Sequence, residues 1–186
     1  MSVVPSVLLL VAVMPGLLGS GAQAPAHWKL FQSRSQHFSV RYPPSWNRLG
    51  GWGVPPDPDV LGIINFPNTE RVEGVVIKKG GAEIWAGGPP KGIDSVDRWI
   101  YGYLHGDAIL DQRPVPISSA PPNACGTLQR VVTRLKMDDA YEIDTAYYCT
   151  VDGKFYGIFL TNWEGDPHQS ELQDTALRVA LSLRSR

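Results

Sequence analysis

Apolar and polar residues alternate most cleanly at Phe38-Ser39-Val40-Arg41-Tyr42, and the alternation stops at Pro43-Pro44. Successive side chains of a strand face opposite ways, so this period predicts a half-buried strand over 36–42. The two prolines lack an amide hydrogen and end its ladder before Trp46. Later extended segments are read as partners of this strand, with 27–31 as an edge strand or lead-in. A continuous apolar run at 60–66 predicts a central strand, closed by Pro67 and Asn68. Segments 75–78 and 82–86 flank Lys79-Gly80-Gly81, whose glycines can take the positive φ of a tight hairpin turn. Val96, Trp99, Ile100, Tyr103 and Leu104 recur at helical spacing, with Asp94 or Ser95 as cap, Asp97 in the first turn and Gly106 as stop. Residues 108–110 and 115–117 read as two short extended pieces. Segments 128–136 and 141–151 predict a hairpin turning at Met137-Asp138-Asp139-Ala140, and Asp152-Gly153 turns the chain again into 155–163, which makes a three-stranded meander. Asp166-Pro167 opens a last helix, with Gln169 at the capping-box position and Leu172, Ala176, Val179, Ala180 and Leu183 on one face. The expected fold class is α+β, an antiparallel β-sheet with helices packed on it.

The phrase from Phe38 to Trp46, an aromatic–x–Val–x–Tyr-Pro-x-x-Trp motif, is followed by a middle helix, a run of antiparallel strands and a terminal helix ending in Leu-Ser-Leu-Arg. That succession resembles the PsbP-like superfamily, which includes PsbP, the LpqN-type envelope proteins and the DcrB-like proteins. The resemblance covers most of the chain after Trp28. It implies an α/β/α sandwich, and a role in binding or accessory work with no shared catalytic residues.

Composition narrows the partners. The chain has 186 residues, 43% hydrophobic and 19% charged, with a net charge of −1, which offers phosphate backbones no electrostatic footprint and makes nucleic acid an unexpected partner. Residues 3–18 form an apolar run broken by Pro5, Pro15 and Gly16, followed by small residues up to Ala24. This reads as a secretory signal peptide over 1–22, too short and broken to span a bilayer, although no Lys or Arg precedes it; the competing reading is an uncleaved anchor. Cutting after Ala22 avoids placing Pro25 next to the scissile bond, so Gln23 is the expected mature start and 23–186 one domain. The chain is thus expected to be secreted or periplasmic, with no stable membrane span after cleavage.

In such a compartment Cys125 and Cys149, the only cysteines, are expected to be bonded. An antiparallel pairing that opposes them centres its turn at residue 137, beside the turn chosen above, and sets Arg130 opposite Asp144. A redox or metal role lacks the Cys-x-x-Cys spacing.

Catalytic constellations are harder to find. His27, His37, His105 and His168 are scattered and share no metal-ligand spacing, and no Gly-x-Ser-x-Gly elbow occurs. Gly50-Gly51-Trp52-Gly53 is not followed by the helix a phosphate loop needs. His105-Gly106-Asp107 could join an imidazole to a carboxylate at a helix end. Asp57 and Asp59 could offer oxygens to calcium, but supply too few ligands, and a solvated turn is the simpler reading. No cofactor and no metal are expected. Trp52 and Trp85, in or beside Gly/Pro-rich loops, and Trp163, at a strand end, are the candidate binding residues, because indole brings large contact area and one donor; core-capping rings are the plainer alternative. The leading expectation is a non-catalytic accessory protein binding a protein or small molecule. The alternatives are an extracytoplasmic hydrolase with dispersed residues, or a chaperone-like groove for apolar segments.

Overall fold

The computed structural model describes residues 24–49, 57–67, 81–103, 108–117, 120–137 and 140–186. The N-terminal apolar segment, Trp52 with its loop, the expected strand at 75–78 and the stretch around His105 lie outside the described residues.

The meander forms as its two turns predict. β7 (Thr127–Lys136), β8 (Tyr141–Val151) and β9 (Lys154–Trp163) pair antiparallel in succession. Asp152 and Gly153 link the last two with φ of 50° and 72°, the left-handed pair that a two-residue hairpin turn requires. β3 (Asn47–Arg48), β4 (Leu61–Ile64), β5 (Ala82–Gly87) and β6 (Ala108–Pro116) complete a seven-stranded sheet in the order β3-β4-β5-β9-β8-β7-β6. The two pieces expected at 108–110 and 115–117 are one strand, with a bulge between Ile109 and Asp111. Pro114 and Pro116 are accommodated because β6 lies at the sheet edge, where one side of the backbone feeds no ladder.

The strand at 36–42 has other partners than expected. β2 (Phe38–Tyr42) pairs with β1 (Lys29–Ser33) and with β10 (Arg184–Ser185) in a separate three-stranded sheet, not with the later meander. Residues expected to finish the terminal helix therefore turn out to be extended. α2 (Gln169–Leu181) stops at Leu181, and the backbone amide of Ser185 donates to Asn123 O while that of Arg186 donates to His37 O. α2 also begins later than Pro167: Asp166 Oδ1 accepts from the His168 amide at 2.7 Å, an Asx-type turn ahead of the helix.

Two apolar layers result from the strand period. On one face of the large sheet, Leu61, Ile63, Ile84, Tyr156, Ile158 and Leu160 are buried under α2 residues Leu172, Ala176, Val179 and Ala180 together with Phe38 and Val40 of the small sheet. Each such aliphatic side chain stabilises the fold by roughly 1.5–3 kcal/mol on burial. On the other face α1 (Val96–Tyr103), capped by Ser95 Oγ accepting from the Arg98 amide, lays Trp99 and Ile100 on Val131, Ala146 and Tyr148. The Trp99, Tyr148 and Phe159 rings meet pairwise with centroids 5.3–5.5 Å apart. Gly157 leaves room for that contact, since a Cβ there would lie 2.7 Å from the Phe159 ring and 2.9 Å from Trp99.

Cys125 and Cys149 are disulfide-bonded, with Cα atoms 5.8 Å apart, but they are not ladder partners. The register sets Arg130 opposite Tyr147 and Thr133 opposite Asp144, three residues away from the pairing the cysteines suggested. Cys125 precedes β7 and leaves its line, since its neighbour Ala124 bridges to Arg184 of β10. The β6–β7 connection thus reaches over to β10 before returning to the large sheet, and Cys125 sits on that excursion. Arg130 and Asp144 consequently find other partners, Asp111 and Thr161 respectively.

Candidate binding cleft

Both sheet faces are partly roofed, and an open cleft of about 630 Å³ remains where α2 passes over β6, β7 and β8. Its sheet wall is one lateral row: Arg113 of β6 lies directly opposite Arg130 of β7, which lies opposite Tyr147 of β8. Like charges on directly opposed residues destabilise a strand pair. The conflict is relieved by Asp111, two residues before Arg113 and therefore on the same face. Its Oδ2 accepts from Arg130 Nη1 and lies 3.4 Å from Arg113 Nε. One carboxylate thus serves two guanidinium groups. Arg130 is deep, with its side chain 13% exposed, whereas Arg113 reaches solvent at 64%.

The floor and opposite wall come from α2. Gln173 links them, accepting from Arg130 Nη2 at 3.4 Å and donating from Nε2 to Thr145 Oγ1 at 3.3 Å. Burial pushes the Tyr147 phenol above its ordinary range, partly countered by the Arg130 charge. Glu171 and Asp174 face the cleft from the helix. Glu171 lies 3.7 Å from His168 Nδ1, and Asp174 accepts from Arg178 Nε at 3.0 Å. Half-buried Val115 and Leu177 add apolar surface between the charged walls.

Of the residues singled out in the sequence, Trp52 lies outside the described residues, and neither Trp85 nor Trp163 lines this cleft. Both are half-buried on the opposite face of the sheet, that of α1. Trp85 donates its indole N–H to Glu83 and lays its ring over Gly62, where a Cβ would come within 2.7 Å of it. Trp163 sits opposite Glu142 at the end of β9. Asp57 and Asp59 form a loop clasp. Asp59 Oδ1 accepts from the amides of Ser35 at 2.9 Å and Arg34 at 3.1 Å and from Ser33 Oγ at 3.2 Å, while Asp57 Oδ1 accepts from the Asp59 amide. The Ser35 hydrogen bonds lead in holding the Asp59 carboxyl below its ordinary value. No group of three or more metal-ligating side chains occurs among the described residues, and no helix among them is long and apolar enough to cross a membrane.

No family model and no curated protein matches the sequence. Similarity appears at the level of structure. The solution structure of cyanobacterial PsbP (CyanoP) from Synechocystis superposes with a TM-score of 0.51 at 16% identity, over 92% of this chain and 100% of that one. The Ran-binding protein Mog1p of Saccharomyces cerevisiae gives 0.51 at 8% identity, over 85% and 95%. A Bacteroides thetaiotaomicron protein gives 0.45 at 17% identity over 86% of this chain, which spans only 48% of that longer one. Two independently determined folds of matching length thus share this arrangement of antiparallel strands and covering helices, and the chain has the PsbP-like fold.

Proposed function

We propose that this chain is a secreted or periplasmic accessory protein that binds a ligand without converting it, and that the cleft beneath α2 is where binding occurs. The observation that carries this reading is the cleft itself, a space of about 630 Å³ between a rigid sheet and a helix, within the size range of small-molecule sites. Its carboxylates Glu171 and Asp174 have side chains 80% and 55% exposed, the setting of rim charges and not of the desolvated groups that acid–base catalysis recruits. This favours binding over the hydrolase alternative. The Ran-binding name of Mog1p adds a precedent for partner binding on this fold. Export rests on the N-terminal signal pattern and the disulfide. Sequencing the exported form is expected to return Gln23 as its first residue.

Photocrosslinking tests the cleft. A benzophenone side chain placed at exposed Ser170, on the cleft lip, is expected to form adducts in the native envelope, whereas the same probe at Arg98, on α1, is not. Equal adducts at both positions, or none at Ser170, would overturn the reading. A second reading keeps Trp52, Trp85 and Trp163 as contact residues for a partner, supported by Trp85 and Trp163 remaining half-buried on a shared face.

A further inference from the structure

Charge in the cleft is sorted by wall. On the sheet side two guanidinium groups share the single carboxylate of Asp111, which leaves one positive charge in excess. The deeper arginine is already held by Asp111 and Gln173, but the Nη groups of Arg113 have no acceptor among the described residues, and their planar fork matches a carboxylate. On the helix side the charge is negative. Asp174 is offset by Arg178, while among the described residues Glu171 has only His168 as a charge partner, at 3.7 Å. Two directly opposed arginines break an ordinary rule of strand pairing, and such local violations are expected where function compensates them.

We infer that the cleft, read above as the binding site, takes a small apolar zwitterion of di- or tripeptide size, its carboxylate on Arg113 and its ammonium toward Glu171. The Tyr147 hydroxyl adds a neutral donor beside the guanidinium row. Val115 and Leu177 offer an apolar side chain a dry surface between the two ends. A polyanion is disfavoured because Glu171 and Asp174 would face it, and a polycation because Arg113 and Arg130 would. Cleft volume also fits: about 630 Å³ exceeds the need of a single amino acid.

Calorimetry on the purified chain with four forms of alanyl-leucine tests this: both ends free, N-acetylated, C-amidated, and doubly capped. Each cap removes one charge-assisted contact, so each single cap is expected to weaken binding about tenfold or more. Arg113→Gln should make the free acid and the amide bind alike while keeping the penalty for acetylation, and Glu171→Gln should do the reverse. Both side chains are largely exposed, and near-UV circular dichroism checks that the variants fold. Equal binding of acid and amide by the unsubstituted chain, or no binding of the free dipeptide in the millimolar range, would overturn the assignment. Should that happen while Ser170 adducts persist, only the ligand class falls; loss of both removes the cleft reading as well.

Discussion

Removing the disulfide with a Cys125→Ala, Cys149→Ala double variant should cost most of the chain-entropy value of the loop it closes. The cysteines are 24 residues apart, and a loop of that length corresponds to about 3.5 kcal/mol at room temperature. The β7–β8 ladder lies inside the loop, so any hairpin persisting in the unfolded chain lowers this figure. A loss of roughly 2–3.5 kcal/mol is therefore expected, a large fraction of the stability of a typical domain. Urea unfolding followed by fluorescence measures it. The midpoint should fall by roughly 1–2 M, with a modest rise in slope as the denatured chain expands. Location matters as much as size. Because Cys125 lies on the β6–β7 connection where it touches β10, the Ser185 amide, bonded to Asn123 O, should lose exchange protection before the β7–β8 amides do. A loss below about 1 kcal/mol, or exchange rising first inside the β7–β8 ladder, would refute this account of the bridge.

Three further outcomes follow from other parts of the fold. Asp59 has a folded pKa below its ordinary 3.8, so its clasp on the Ser33–Ser35 turn contributes above that pH and is lost as pH falls through the lower folded value; Asp59→Asn should thus destabilise at pH 7, and its difference from the parent chain should vanish at strongly acid pH in urea titrations. Gly157→Ala should cost about 1–3 kcal/mol in thermal unfolding, because the Phe159 and Trp99 rings must move to admit the methyl group, whereas Gly126→Ala, with nothing within 4 Å, should be near neutral. In single Trp→Phe variants, acrylamide quenching should show Trp85 and Trp163 partly accessible and Trp99 shielded; full shielding of Trp52, Trp85 and Trp163 would remove the tryptophan-contact reading.

Local period explains what could be read from the sequence. Turn residues located β7, β8 and β9, and helical spacing located the buried face of α2 and the Trp99–Ile100 face of α1. Non-local pairing explains what could not. The two-residue strand at Arg184–Ser185 joins β2 across most of the chain, and nothing in Leu-Ser-Leu-Arg distinguishes that from a helix end. The cysteines gave the right partners and the wrong register, because a cross-strand sum assumes that both residues belong to the ladder and Cys125 does not. That error hid the cleft. With Arg130 assigned to Asp144, and β6 read as separate pieces at 108–110 and 115–117, no reading could place Arg113, Arg130 and Tyr147 in one row. The tryptophans were conspicuous by composition, whereas the arginine row is conspicuous only by register.

The seam between β2 and β10 has a temporal side. A chain emerging from its N-terminus presents the β1–β2 hairpin early, yet the hairpin's other edge is completed by the strand that follows every other described element. Phe38 and Val40 stay without their α2 cover until that late arrival, so the apolar face of the hairpin is exposed through most of the chain's synthesis.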